Sequence, residues 1–162
     1  MKKLLRAGFI GILLILMASS AFAAGTVTQT ISRMTKFSER DNDVYTVTLA
    51  WTAGAGGGVT AVPISGPITE QMQGRYIIQV LIVPGSGGAA PTTLYDITLL
   101  DPNGIDVMGG ALGDRSATAT EVARPLPDPT KYSGLITGVL TFTLTNNTNA
   151  SATGTAILFI QR

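Results

Sequence analysis

Tyr45-Thr46-Val47-Thr48-Leu49-Ala50-Trp51 decides the fold. Tyr45, Val47, Leu49 and Trp51 alternate with Thr46, Thr48 and Ala50, so a backbone with a period of two gathers large apolar side chains on one face. A helix would scatter the same residues around its circumference, whereas a half-buried strand sorts them. Towards the N-terminus, Thr26-Val27-Thr28-Gln29-Thr30-Ile31 repeats the alternation and predicts a second strand. Towards the C-terminus, Gly54-Ala55-Gly56-Gly57-Gly58 interrupts it with a flexible loop, and Val59 to Ile64 predicts a short strand limited by Pro63.

Tyr76 to Val83 is apolar at nearly every position, which predicts a strand covered on both faces, either central in a sheet or part of an assembly surface. Pro84 to Pro91 is a Gly- and Pro-rich loop, Leu94 to Leu100 a further strand, and Asp101-Pro102-Asn103-Gly104 a turn. Asp in the first place caps the backbone, Pro presets φ in the second and Gly relieves the last. Ile105 to Met108 is expected to return as a hairpin arm. Gly109 to Thr120, small and polar, predicts an ordered surface loop, and Arg124 to Pro129 an extended irregular stretch.

Val139 to Thr145 alternates Thr141, Thr143 and Thr145 against Leu140, Phe142 and Leu144, and Gly154 to Ile160 closes the chain with a strand apolar on both sides. Helical periodicity is almost absent. Seven or eight short strands punctuated by Gly, Pro and Asn predict an all-β fold, an antiparallel β-sandwich.

The first 23 residues have a different logic. Lys2, Lys3 and Arg6 precede an apolar run from Ala7 to Met17, followed by Ala21-Phe22-Ala23, the layout of a secretory signal peptide with cleavage after Ala23. The run is too short for a comfortable membrane span, and no later segment qualifies. Residues 24–162 are thus expected to form one β-sandwich domain in the periplasm or outside the cell. A competing pattern, the type IV prepilin site cut between Gly8 and Phe9, lacks the Glu required five residues into the mature chain, where Leu13 stands.

Three of the eleven basic residues lie in the leader, leaving eight against ten acidic ones and a net charge near −2. Arg33, Lys36 and Arg40 lie close together but are interleaved with Glu39, Asp41 and Asp43, so no basic patch for nucleic acid remains. The chain has no Cys and no His. Disulfides, imidazole bases, thiolate nucleophiles and the usual ligands of zinc, copper or haem are thereby excluded, and no cofactor is expected.

Tyr95-Asp96-Ile97-Thr98-Leu99, Asp101, Gly104-Ile105-Asp106-Val107-Met108-Gly109-Gly110 and Asp114 to Glu121 resemble small β-rich proteins encoded among tailed-phage virion genes. Gly154 to Ile160 resembles their final strand. The resemblance covers roughly the second half of the chain and implies a structural or surface role without catalysis. A signal peptide is not expected in that setting, and the Pro-rich Arg124 to Tyr132 segment looks inserted.

Among candidate sites, Asp101, Asn103 and Asp106 offer oxygens to Ca²⁺, but without the central Gly and acidic twelfth position of an EF-hand loop. Turn capping is the better account, and Asp41-Asn42-Asp43 is a similar solvated cluster. Asp114, Arg115 and Glu121 are interaction candidates because they sit in a long loop, where a salt bridge bracing the loop competes with a ligand. The glycosylation patterns at Asn146 and Asn149 are read as turn residues, and the Thr-x-Thr pairs at Thr26, Thr46 and Thr141 as the outer face of a sheet rather than an ice-binding ladder.

The expected function is an exported, non-catalytic structural or interaction protein, with a protein partner or self-association as a homo-oligomer. Two alternatives are a pilus or fibre subunit donating Gly25 to Ile31 to a neighbour's sheet, and a carbohydrate-active enzyme using carboxylates among Glu70, Asp96, Asp101 and Asp106.

Overall fold

The computed structural model describes residues 24–33, 44–127 and 134–162. The leader, the Asp41-Asn42-Asp43 cluster and part of the Pro-rich segment lie outside them. Among the described residues eight strands form in chain order: β1 (Thr26–Arg33), β2 (Tyr45–Thr52), β3 (Val59–Pro63), β4 (Tyr76–Pro84), β5 (Asp96–Leu100), β6 (Glu121–Ala123), β7 (Thr141–Thr145) and β8 (Thr153–Gln161). They pair antiparallel in two sheets, ordered β1-β2-β8-β4-β6 and β3-β7-β5. This is the expected all-β, sandwich-like architecture.

The alternation in β2 works as the period of two requires. Val47, Leu49 and Trp51 are buried and face the second sheet, joined on the same side by Ala156, Leu158 and Ile160 of β8 and by Ile77, Val80 and Ile82 of β4. Ile97, Leu99, Phe142 and Leu144 answer them from β5 and β7. Trp51 and Tyr95 meet in the middle, ring centroids 5.9 Å apart and tilted at 54°, an arrangement that suits the ring quadrupoles. Gly154 stands opposite Trp51, and a Cβ there would overlap the indole at Cζ2 and Cε2, so this position is small because the ring lies across it.

Several segments depart from the expectations. Pro67–Met72 forms a helix, α1, with Pro in the first turn and Ile68 and Met72 buried one turn apart. At six residues it is too short to show periodicity. Ile105 to Met108 is not a hairpin strand: one isolated bridge, Leu100 to Asp106, ties this stretch to β5, while Val107 N–H donates to the Leu99 carbonyl. The following loop is ordered as expected, yet its Leu112 plugs the core together with Val107 and Met108 just before it. β4 is two-sided because its register shifts between Ile77 and Gln79, leaving Ile78 exposed between inward-facing Ile77 and Val80.

Candidate interaction surface

Asp101, Asn103 and Asp106 act on the backbone. Asp101 is buried, and its Oδ1 accepts the N–H of Asn103 at 2.9 Å and of Ile105 at 2.8 Å. Its Oδ2 accepts Asn103 Nδ2 and Thr137 Oγ1, at 3.2 and 3.3 Å. Burial pushes the Asp101 carboxyl up, but the hydrogen bonds from Ile105, Asn103 and Thr137 outweigh it and hold the group below its ordinary value. Asp106 spends Oδ1 on the N–H groups of Leu99 and Met108 and Oδ2 on Gly110. With its acceptors committed to backbone donors, the set serves as turn caps. Among the described residues no group of three or more acidic, His or Cys side chains is placed to hold a metal.

Asp114, Arg115 and Glu121 divide into a pair and an outlier. Arg115 Nη1 lies 3.8 Å from Glu121 Oε1, Arg115 Nε donates to the Gly113 carbonyl at 2.7 Å, and Glu121 Oε2 accepts Ser116 N–H at 2.8 Å. These contacts brace both ends of the loop. Asp114 takes part through its backbone, donating N–H to Asp96 Oδ1 at 2.7 Å. Asp96 Oδ2 accepts Asn146 Nδ2. Among the described residues Leu94, Asp114 and Asn146 are the non-glycine residues with positive φ, and all three cluster around Tyr95 and Asp96. The Tyr95 hydroxyl is buried without a hydrogen-bond partner, and burial, reinforced by Glu121 and opposed by Arg115, pushes it up to about 12.

Asn146 and Asn149 are turn residues, and Asn147 between them is the most connected of the three. Buried Asn147 accepts Thr92 N–H at 2.8 Å and donates to the Gly57 and Asn149 carbonyls, tying three loops together. Asn149 Nδ2 donates to the carbonyls of Gly88 and Ala90.

What these contacts leave unused is the outer face of the five-stranded sheet. The register aligns Thr30, Thr48, Ile157, Leu81 and Val122 in one row across all five strands. Flanking rows are Thr28, Ala50, Thr155 and Val83 on one side, and Ser32, Thr46, Phe159 and Gln79 on the other. Thr26, Thr52 and Thr153 make a fourth. None of these side chains is charged, and they are half-buried or exposed, with Val122 the most open of the apolar ones at 56%. The face is thus hydroxyl-bearing over β1, β2 and the Thr153–Thr155 end of β8, and apolar at Ile157 and Phe159 of β8, Leu81 and Val83 of β4 and Val122 of β6. A shallow depression of about 340 Å³ opens at its upper end among Thr26, Thr28, Thr52, Val83, Thr153 and Thr155. The sequence marked the apolar half through the two-sided strands Tyr76 to Val83 and Gly154 to Ile160. Its union with the threonine half is a matter of register, which local spacing does not reveal.

Compared with family models, curated proteins and solved structures, the chain matches none.

Proposed function

We propose that this protein is an exported, non-catalytic β-sandwich whose task is structural or adhesive, with the outer face of the five-stranded sheet as its working surface. The observation that carries the reading is that face: an uncharged array spanning five strands, with Leu81, Ile157, Phe159 and Val122 gathered on its apolar half. Apolar surface of this kind gains by being covered, and the absence of charge removes the desolvation cost that a partner would otherwise meet. The site carboxylates are committed elsewhere, Asp96, Asp101 and Asp106 to backbone and Asn146 donors, while Glu70 stands exposed on α1. The likeness to phage virion proteins points to the same class of role and rests on the residues quoted for it.

Export follows from the leader reading: protein recovered outside the cytoplasm should begin at Ala24. The functional test is Leu81→Glu, a charge set into the middle row of the face. In extracts of the producing cells the unsubstituted protein should sediment in assemblies larger than two chains, and the variant, with its thermal midpoint preserved, as species of no more than two chains. Equal sedimentation of the two proteins contradicts the reading.

A further inference from the structure

The five-stranded sheet ends on one side at β1, whose outer edge pairs with no other strand among the described residues, and the remaining sheet edges are each blunted. β6 is three residues long, β3 is bulged and ends in Pro63, and the stretch from Ile105 to Arg115 lies along β5, where Leu112 and Leu99 exchange backbone bonds with Ile97 and Val107. Short strands, bulges, prolines and covering loops are the devices that keep edges from pairing. Among the described residues β1 has none of them: it runs eight residues in unbroken register with β2, without Pro and without a charge before Arg33.

β1 is also anchored in its own sandwich. Gln29 Nε2 donates to the Pro63 carbonyl at 2.8 Å, and Gln29 Oε1 accepts Ser65 N–H at 3.3 Å. At Gly25 a Cβ would come within 2.8 Å of the Gly58 and Thr52 carbonyl oxygens, so the start of the strand presses close to β2 and β3. A strand held this firmly presents a fixed edge; it is not a segment waiting to be donated.

The chemistry of that edge is palindromic. Thr26-Val27-Thr28-Gln29-Thr30-Ile31-Ser32 reads hydroxyl, β-branched, hydroxyl, amide, hydroxyl, β-branched, hydroxyl in either direction. We propose that β1 pairs antiparallel with β1 of a second copy about a two-fold axis at Gln29, joining two five-stranded sheets edge to edge. The axis sets Thr26 opposite the second copy's Ser32, Val27 opposite Ile31 and Thr28 opposite Thr30. Hydroxyl then meets hydroxyl on the outer face and β-branched meets β-branched inside, the cross-strand pairs that stabilise sheets. Both copies of Arg33 fall beyond the paired stretch, at opposite ends. A two-fold interface requires this self-complementarity, which a heterologous partner does not. Seven paired residues extend about 24 Å, and two layers of sheet give a depth of about 20 Å. The buried area is then about 1,000 Å² in total, at the low end for a specific interface, so the dimer should dissociate on dilution. The pairing carries the threonine rows unbroken from one copy to the next and rests on the reading of the protein as an interaction module.

Sedimentation velocity of the purified protein, in the form cells accumulate, tests this over a dilution series. Two variants set the register: Thr28→Lys with Thr30→Lys, and Thr28→Glu with Thr30→Glu, both at exposed positions facing uncharged Ala50 and Thr48 within the chain. The unsubstituted protein should pass from dimer to monomer on dilution, each variant alone should stay monomeric with an unchanged thermal midpoint, and an equimolar mixture of the two should restore the dimer. A monomer at every concentration overturns the proposal, as does a lysine variant that dimerises like the parent or a mixture that fails to recover. If the purified protein is monomeric while assemblies in extract persist and depend on Leu81, edge pairing falls and the outer-face reading stands.

Discussion

Asp101 gathers two backbone amides, an asparagine amide and a threonine hydroxyl around one buried carboxylate. Its identity as a turn cap was legible, since Asp-Pro-Asn-Gly at 101–104 has the residue each turn position favours, and Gly104 N–H does close on the Asp101 carbonyl at 2.9 Å. The reach of Thr137 to the same carboxylate was not, because 36 residues separate them. With the folded carboxyl held below its ordinary value, the stability it supplies is complete above the unfolded pKa of about 3.9 and is lost as pH falls through the lower folded value. Replacing Asp101 by Asn should cost about 2–3 kcal/mol at pH 7, in line with hydrogen bonds to a charged group. Urea unfolding from pH 7 to pH 2 should show the gap between the two proteins narrowing only below about pH 4. A gap that stays constant to pH 2 would mean that the charge on Asp101 contributes nothing.

Elements were legible in proportion to how local their causes are. β2 follows from alternation alone, and β1 and β7 nearly so, because inward and outward residues differ in kind at each step. β4 reads as covered on both faces, yet only Ile77, Val80 and Ile82 are buried while Ile78 is exposed and Leu81 and Val83 are half-buried on the outer side, and the bulge at Ile78 is not visible in the sequence. β6, three residues long, has too few positions to display any period. The stretch from Ile105 to Arg115 misleads most: Ile105 to Met108 reads as a hairpin arm and Gly109 onward as a small, polar surface loop, yet it seats Val107, Met108 and Leu112 in the core while its backbone lies along β5. Leu112→Ala should therefore behave as a core truncation and cost about 2–5 kcal/mol. Denaturant unfolding checks it, since a residue in a solvated loop would change stability by less than about 0.5 kcal/mol.

At the scale of the whole molecule, composition stated what the chain lacks, and the register states what it presents. The chain has no Cys or His, Asp96, Asp101 and Asp106 are engaged by backbone donors, and the five-stranded sheet presents an extended uncharged outer face. That surface depends on which residues stand beside one another across five strands, a relation fixed by long-range pairing and invisible in any one segment. The absence of native thiols makes its coverage directly measurable. Single cysteines at Thr48 and Ile157 on the outer face, and at Glu70 on the exposed side of α1 as a reference, can be labelled with a thiol reagent in cell extract and again after purification and dilution. The account predicts labelling slowed at least several-fold in extract at positions 48 and 157 and unchanged at position 70; equal rates at all three positions in both states would contradict it.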